Sequence, residues 1–538
     1  MRRARAWLLL VPTAAALFVG MAGVGMFRGA PDLKNRVPVS RAPGIKPDYT
    51  GLVIPPNIAP LNFCITEPGL RFHVKVSSAR GDAIEVGTRK PSVVIPPAQW
   101  KRLLNENRGE DVRFDVCVES KEGTWQQFDS ITNTVARDDA DRYVVYRVIN
   151  VLYNYYLRMK MYQYDLETSS ESLVLDNRSF GNGCMNCHTF LNNRADAMLI
   201  QMRSSNIDYG AGMLIIRNGV LTKVNTRTKL NPDLAAFAAW HPSGRALAFS
   251  TNKVRQFFHS ARTEVREGID MNSGLAIYVV DTNKVLTNSK LSKPDELETW
   301  PAWSPDGRYL YFCSAPSPWD PNADIPPPHY DELKYDLVRI GFDVKTGTWG
   351  ELETVLSARE TGKSITLPRI SPDGRFLIFC MSDYSGFPAL QPDADLYLMD
   401  LNSRKYSRLD CNSDESESWH SWSSNGRWIV FSSKRGDKLF MKAYLSYIDE
   451  NGKAHKPFVM PQKDPEFYDS FARVYHLPEF VRDPVPLKGE AIASAIRSAP
   501  WVDVEVPVTS PSPGAGSQGK QPAQAPPSGA EPWTPAMQ

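Results

Sequence analysis

The stretch Trp303-Ser-Pro-Asp-Gly-Arg-Tyr-Leu-Tyr-Phe312-Cys313 decides the fold, because the chain repeats it. Each copy joins an apolar strand end to a strand rich in aromatic and branched residues, through a turn in which glycine takes the left-handed conformation. The other copies are Trp240–Ser250, Ile370–Cys380 and Trp422–Ser432. Their turn glycines, Gly244, Gly307, Gly374 and Gly426, are spaced by 63, 67 and 52 residues. Such spacing is typical of the four-stranded blades of a β-propeller.

The repeats predict a mainly β protein whose propeller covers residues 197–485. We expect five blades, with six as the alternative, and Met198–Val224 as a degenerate first blade. Because of their Ser-Pro-Asp-Gly-Arg turns, the repeats resemble the blades of TolB-like β-propellers. This resemblance implies the fold and says little about the reaction.

The rest of the chain divides by composition. Short strands and turns in residues 48–135 predict a β-sandwich-like domain. Residues 136–196 predict a helical, haem-bearing segment, with a helix that begins at Asp138 or Asp139 and ends near Leu166. Residues 504–538 are rich in Pro, Ser, Gly and Gln, so we expect a disordered tail.

A haem attachment motif precedes the repeats. The run Cys184-Met-Asn-Cys187-His188 reads C-x-x-C-H, the signature of a c-type haem. In that interpretation Cys184 and Cys187 bind one haem covalently, and His188 is the proximal iron ligand.

Other uses of this spacing find less support in the sequence. A thioredoxin-like dithiol would open a helix in a βαβ unit, and the pattern contains no such unit. A zinc site would need a second pair of ligands, but the other five cysteines are far apart. Cys64 and Cys117 could form a disulfide in an oxidising compartment.

The whole chain also resembles a group of exported bacterial proteins, often labelled as cytochrome c biogenesis proteins. The match rests on Pro47–Asn62, on the C-x-x-C-H run and on Ser416–Arg427. It implies an N-terminal β domain and a haem segment before a propeller.

The distal haem ligand is the open question at the iron. His259 lies outside the blade pattern, in Gln256-Phe-Phe-His-Ser260, and is our first candidate. Met202 follows the motif closely and is the second candidate, and a five-coordinate iron with an open site is the third. His241 and His420 lie inside the repeats and are interpreted as blade residues.

Two acidic runs precede repeat copies and predict a second site. Glu296 and Glu298 stand before the second copy, and Glu415 and Glu417 before the fourth. Converging carboxylates at a mouth of the channel could bind Ca²⁺ or a basic partner. A structural network with Lys363 and nearby arginines is the alternative.

The N-terminus predicts export. Arg2, Arg3 and Arg5 precede an uncharged run at residues 6–27, so residues 1–30 are a cleaved signal peptide or an inner-membrane anchor. Either one places the protein in the periplasm. With 62 basic and 60 acidic side chains, the net charge of +2 gives no reason to expect nucleic acid as a partner.

These features predict a periplasmic protein with one covalent haem c that relays electrons. The propeller would dock a redox protein or a respiratory complex. Two alternatives stay open: a haem oxidoreductase with an open iron site, and a non-catalytic assembly factor. No local motif for hydrolysis is found, so whether the protein is an enzyme stays uncertain, with electron transfer favoured.

Overall fold

The computed structural model describes residues 33, 35–150, 158–203, 210–228 and 235–505, and of residue 186 only the backbone. The predicted N-terminal export segment lies outside these residues, as does all but the first two residues of the predicted C-terminal tail. No helix in the described part of the chain combines the length and apolarity needed to cross a bilayer.

The first described residues fold into two β-sheets that share one hydrophobic core. The larger sheet has the strands Val37–Val39, Val53–Ile54, Arg71–Ser78, Ile84–Thr88, Asp111–Glu119, Trp125–Phe128 and Ile131–Val135. The smaller sheet has the strands Ile45–Lys46, Phe63–Ile65 and Ser92–Val93. The helix Pro97–Glu106 buries Trp100, Leu103 and Leu104 against this core.

Six further sheets form a six-bladed propeller, each described here from its inner strand outward. Blade 1 consists of Val474–Val481, Tyr143–Ile149, Lys160–Asp165 and Ser170–Asp176. Blade 2 consists of Cys184–Leu191, Arg194–Arg203, Ala211–Arg217, Val220–Asn225 and Trp501–Asp503. Blade 3 consists of Ala235–Trp240, Ala246–Phe258, Arg266–Val279 and Lys284–Leu286.

The remaining three blades contain the other repeat copies. Blade 4 consists of Glu296–Trp303, Tyr309–Pro316, Asp336–Asp343 and Thr348–Leu356. Blade 5 consists of Ser364–Ile370, Phe376–Ser382, Asp395–Asp400 and Tyr406–Arg408. Blade 6 consists of Glu417–Trp422, Trp428–Ser433, Lys442–Tyr447 and Phe458–Val459. Each inner strand contacts the inner strand of the next blade, and those of blades 1 and 2 close the ring.

Short helices connect or flank the blades. Two α-helices lie at Ala358–Thr361 and Gly489–Ser498. The 3₁₀-helices are Asn177–Phe180, Val280–Thr282, Tyr330–Glu332, Pro388–Leu390 and Phe467–Ser470.

Blade 1 closes the ring by combining distant parts of the chain. Its inner strand comes from residues 474–481, and its three outer strands come from residues 143–176. The propeller therefore begins well before residue 197, although the repeats had predicted its start at that residue. Pairing the last strand with the first three leaves no open gap in the ring.

The repeat turns behave as their sequence predicts. In the second copy the amide of Gly307 donates to the carbonyl of Ser304 at 2.8 Å, and Gly307 has φ +72°. Asp306 stabilises the turn, because its Oδ1 accepts from Ser304 Oγ at 2.6 Å and from the amide of Arg308 at 3.0 Å.

The helix predicted from residue 138 to about residue 166 is wrong. Its described parts form two antiparallel strands of blade 1, Tyr143–Ile149 and Lys160–Asp165. Both faces of the first strand are largely buried between neighbouring elements. An apolar run that is buried on two faces imitates helical spacing, which explains the error.

The N-terminal domain is packed against blades 1 and 6. Trp428 is fully buried, and its Nε1 donates to the carbonyl of Asp138 at 3.1 Å. The carboxylate of Asp141 accepts from the hydroxyl and the amide of Ser424 at 2.6 and 2.7 Å. One hydrophobic core thus continues from the domain into these two blades.

Candidate functional site

The C-x-x-C-H run forms the inner strand of blade 2, Cys184–Leu191. The prediction of a helical segment is therefore wrong here too. Cys184 pairs with Arg203 and Met185 with Met202 in the neighbouring strand. The register shifts between Met185 and His188, as in a β-bulge.

The bulge is a property of the propeller's inner strands. The inner strands of blades 1, 4, 5 and 6 each have a register shift around one residue in the left-handed conformation. These residues are Leu477, Trp300, Leu367 and Trp419, with φ between 52° and 56°. The C-x-x-C-H run thus occupies the part of the inner strand in which those four blades also have their register shift.

Both thiols of the motif are free and buried. Cys184 is 3% and Cys187 is 6% exposed, within the hydrophobic core of the channel. Burial raises the pKa of Cys184, and that of Cys187 to about 12, although Arg147 and Arg203 act in the opposite direction. A redox dithiol needs a lowered thiol pKa, so these surroundings do not favour the thioredoxin-like alternative.

His188 is buried in the core of the propeller. It is 2% exposed, and neither ring nitrogen has a partner in strict hydrogen-bonding geometry among the described residues, although the carbonyls of Val145 and Leu477 lie near the ring and act to raise its pKa. Burial, assisted by the charge of Arg147, lowers its pKa to about 3. The ring is therefore neutral, the form in which an imidazole binds a metal.

His420 in blade 6 is the informative comparison. It also lies in an inner strand, is 3% exposed, and has a pKa that burial lowers to about 3. Its Nε2 lies 3.2 Å from the carbonyl of Ile378, and its Nδ1 lies 3.8 Å from Cys380 Sγ. Buried polar groups are normally paired in this way, and the ring of His188 has no such contact in strict geometry with a described residue.

The donor set fits a c-type haem, since two free thiols precede an unpaired imidazole. The space around it is closed: the cavity between Cys187, His188, Phe237 and Trp300 encloses about 10 Å³. Pockets for cofactors and other small molecules measure ~300–1,000 Å³. The residues therefore fit the group by their chemistry, and a porphyrin would require the side chains packed on Cys184 and Cys187 to move apart.

Sequence reasoning missed the polar neighbours of the motif. Arg147 in blade 1 donates from Nη1 to the carbonyl of Met185 at 2.9 Å, and its Nη2 lies 2.9 Å from His476 Nδ1. His476 Nε2 accepts from Trp419 Nε1 at 3.1 Å. The only available signal was Arg147 itself, a charged residue inside an otherwise apolar run.

The two candidate distal ligands lie in different places. Met202 is 2% exposed, pairs with Met185, and belongs to the same core as the two thiols. His259 follows the second strand of blade 3, where its ring neighbours are Phe257 and Tyr330. The structure thus brings Met202 to the motif and leaves His259 at the end of a long hairpin.

The four acidic residues form two separate networks. Glu296 Oε1 accepts from Lys293 at 2.7 Å, and burial raises the pKa of Glu298 to about 8. Glu415 pairs with Lys438 at 3.0 Å, and Arg435 Nη2 lies 2.9 Å from Glu417 Oε1. Among the described residues no three acidic, histidine or cysteine side chains are grouped as a metal site.

The central channel of the propeller has one open mouth and one covered mouth. At one mouth a funnel of about 650 Å³ is lined by the ends of all six inner strands. Arg369 and Glu479 line it, and burial raises the pKa of Glu479 to about 7 against the charge of Arg369. Its aromatic lining consists of Phe190, Trp240, Trp303, Trp422 and Phe480.

The other mouth is covered by the long hairpin of blade 3, residues 246–279. Glu267 near its tip accepts from Tyr384 at 2.9 Å and from Gln391 at 3.1 Å, both in blade 5. Glu264 accepts from Lys434 of blade 6 at 2.6 Å. The hairpin thus reaches across the channel, which leaves the funnel as the open mouth.

The predicted disulfide is not formed. Cys64 lies in the smaller N-terminal sheet and Cys117 in the larger one, and both are free thiols.

Comparisons with known proteins found solved structures of low similarity. No family model and no curated protein matches the chain. Among solved structures, TolB from Acinetobacter baumannii is 14% identical over 69% of this chain and 79% of its own, with a TM-score of 0.37. A putative 6-phosphogluconolactonase from Bacteroides uniformis is 11% identical over 68% of this chain and 93% of its own, with a TM-score of 0.31. The Dos1 propeller is 13% identical over 52% of this chain and 65% of its own, with a TM-score of 0.31.

The fold is a β-propeller. This statement rests on the six sheets and their closed ring of inner strands, because similarity at these scores carries no argument about activity.

Proposed function

We propose that this protein is an exported monohaem c-type protein that relays single electrons, and that its propeller docks a redox partner. The observation that carries the proposal is the buried, neutral imidazole of His188, which has no hydrogen bond in strict geometry to a described residue and lies next to two free thiols. His420, in a comparable position, is paired with a carbonyl.

The roles of the residues follow from their chemistry. Cys184 and Cys187 would hold the haem through thioether bonds, and His188 would bind the iron with one ring nitrogen. When bound, the haem supplies a one-electron couple. Arg147 holds the carbonyl of Met185 and thereby fixes the backbone between the thiols. The hydrophobic core around the motif keeps water away from it.

The funnel supports the docking part of the proposal. It is an open cavity lined by all six blades, and it combines aromatic side chains with Arg369 and Glu479. Aromatic and arginine side chains contribute strongly to binding at protein interfaces. We expect a redox protein or a respiratory complex as the partner. The periplasm as compartment rests on the basic and uncharged N-terminal run.

The test is covalent haem on the purified protein. The full chain is expressed with a cytochrome c maturation system and stained for haem on a denaturing gel. We expect a stained band, which Cys184→Ala combined with Cys187→Ala abolishes. Cys313→Ala and Cys380→Ala are matched controls, since both thiols are fully buried outside the motif, and they should keep the stain. An unstained wild-type band after expression with the maturation system would contradict the proposal.

A non-catalytic assembly factor is the second candidate, because the funnel is formed without any contribution from Cys184, Cys187 or His188. A periplasmic partner captured equally well by wild type and by the double cysteine variant would favour this candidate. Loss of capture in that variant would favour the electron relay.

A further inference from the structure

Each inner strand contributes one residue at an equivalent position to the lining of the funnel, and these six residues form a ring around the channel. In blades 4, 5, 6 and 1 the residue lies two positions after the left-handed residue of the strand. In blade 3 it directly precedes the repeat copy, as it also does in blades 4 to 6. The next residue is aromatic in every blade except blade 5, which has Ile370. In order from blade 1 to blade 6, the ring consists of Glu479, Thr189, Ala239, Ala302, Arg369 and Ser421.

The ring has small side chains in four blades and charged side chains in two. Its charged members, Arg369 and Glu479, lie in blades 5 and 1, so that Ser421 of blade 6 lies between them. The funnel around the ring encloses about 650 Å³, which is within the ~300–1,000 Å³ of pockets for small molecules. The ring therefore offers one cation and one carboxylate to a ligand in an open cavity.

Arg369 has no carboxylate partner in the described part of the chain. Its Nη1 lies 3.4 Å from the carbonyl of the neighbouring Pro368. Its charge acts on Cys187 in blade 2, on His420 in blade 6 and on Glu479 in blade 1, so the guanidinium lies close to the channel axis. A guanidinium matches the geometry of a carboxylate and pairs with it in bidentate fashion.

The other arginines that line the funnel have acidic neighbours. Arg194 pairs with Asp196 at 2.7 Å. The charge of Arg482 acts on Asp141 and on Asp196. Arg369 is therefore the arginine of the funnel that is best placed to bind an external carboxylate.

Glu479 has no cationic partner within ion-pair distance among the described residues. Its Oε2 accepts from the amide of Phe190 at 3.2 Å, which directs the carboxylate toward blade 2. Burial raises its pKa to about 7, although the charge of Arg369, the amide of Phe190 and the hydroxyl of Thr189 act in the opposite direction. An ammonium group would compensate this carboxylate, as opposite charges and hydrogen bonds do for buried charges in general.

We infer that the ring binds a small zwitterion with an apolar body, an amino acid or a dipeptide, whose carboxylate pairs with Arg369 and whose ammonium group pairs with Glu479. The small side chains of the other four blades leave space for it. Aromatic residues and the turn prolines Pro242, Pro305 and Pro372 also line the funnel and suit the apolar body. The inference goes beyond the proposed function and does not depend on the haem.

Isothermal titration calorimetry of the full chain tests the inference at pH 8, where Glu479 is largely ionised. L-phenylalanine and its dipeptide carry both charges, whereas 3-phenylpropionate lacks the ammonium group and 2-phenylethylamine lacks the carboxylate. At least one of the two zwitterions should bind, and about tenfold or more tightly than either single-charge analogue, because hydrogen bonds between charged groups contribute strongly. The tighter of the two zwitterions identifies the ligand as an amino acid or a dipeptide.

Variants of the ring should change this discrimination according to the charge that they remove. Arg369→Gln and Glu479→Gln should each weaken the zwitterion about tenfold or more. Arg369→Gln should no longer prefer it to 2-phenylethylamine, and Glu479→Gln should no longer prefer it to 3-phenylpropionate. Arg369→Lys keeps the charge and should lie between wild type and Arg369→Gln. Arg482→Gln is the matched control, because Arg482 is exposed and also lines the funnel, and it should change the affinity less than about twofold.

Three results would overturn the inference. These are wild type that binds neither zwitterion, wild type that binds a single-charge analogue as tightly, and Arg482→Gln that weakens the zwitterion as much as Arg369→Gln does. If Arg369→Gln fails to fold, the four probes on wild type and on Glu479→Gln still decide the question. Covalent haem is not part of these measurements, so protein that binds the zwitterion but carries no haem would refute the proposed function alone.

Discussion

His420 offers a direct test of the structure in the core of the propeller. Its ring is 3% exposed, and its Nε2 lies 3.2 Å from the carbonyl of Ile378. Burial lowers its pKa to about 3. We consider His420→Phe, which keeps a flat ring of similar size and removes both the hydrogen bond and the titration.

Losing the hydrogen bond lowers the stability of the variant at pH 7, whereas losing the titrating ring removes a fall in stability at lower pH. At pH 7 the variant loses the hydrogen bond between the ring and the carbonyl of Ile378, which should cost about 0.5–1.5 kcal/mol. In the unfolded wild type His420 titrates near its ordinary pKa of ~6.5, while in the folded protein it stays neutral. The unfolded state therefore binds more protons below pH 6.5, so wild-type stability falls with falling pH. From pH 7 to pH 5 this group accounts for about 2 kcal/mol.

The variant lacks the fall in stability that His420 causes between pH 7 and pH 5. His420→Phe should be less stable than wild type at pH 7 and nearly equal to it at pH 5. Urea unfolding of haem-free protein at the two pH values, followed by tryptophan fluorescence, measures the difference. His329→Phe is the matched control, because that ring is exposed and lies 3.0 Å from Glu332 at the surface. An equal fall for His420→Phe and wild type would refute the buried, neutral ring.

Three further predictions follow from the channel and the turns. Trp300→Ala should lower the free energy of unfolding by about 3–5 kcal/mol, since the ring is 3% exposed and its centroid lies 3.5 Å from that of Phe237. The control Tyr406→Ala, at the surface, should lower it far less. Urea titration measures both free energies. Gly307→Ala should cost more than Gly374→Ala, because both have positive φ but only the new methyl at residue 307 meets His241 at 2.5 Å; equal melting temperatures would contradict this. In the haem protein, Met202→Ala should let reduced iron bind carbon monoxide, because Met202 lies in the same hydrophobic core as the motif. His259→Ala should not. Absorption spectra measure the binding, and the reverse result would restore His259 as the ligand.

The repeat turns show what local sequence can predict. Each glycine of the copies has positive φ, at Gly244, Gly307, Gly374 and Gly426, as the turn chemistry requires. The four copies lie in blades 3 to 6, one per blade. These features depend on residues only a few positions apart, so the sequence carries them completely.

The sequence predicted Met198–Val224 as a blade, and this stretch lies in blade 2, but blade 1 and the inner strand of blade 2 were misjudged for a physical reason. Their strands are buried on both faces, and buried runs do not alternate between polar and apolar residues. The inner strand of blade 1 comes from the end of the propeller, and no local pattern shows which strands will close the ring. The predicted helix and the late start of the propeller both arose in this region.

The residues of the candidate site also divide into those that the local sequence predicts and those that only the fold brings together. The sequence by itself determined the two thiols and the imidazole, because their order and spacing are local. Only the tertiary structure decided that the ring of His188 has no hydrogen bond in strict geometry to a described residue, that Met202 lies beside the motif, and that Arg147 and His476 come to it from blade 1. Arg147 and His476 are 329 residues apart in the chain, and the closure of the ring brings them together.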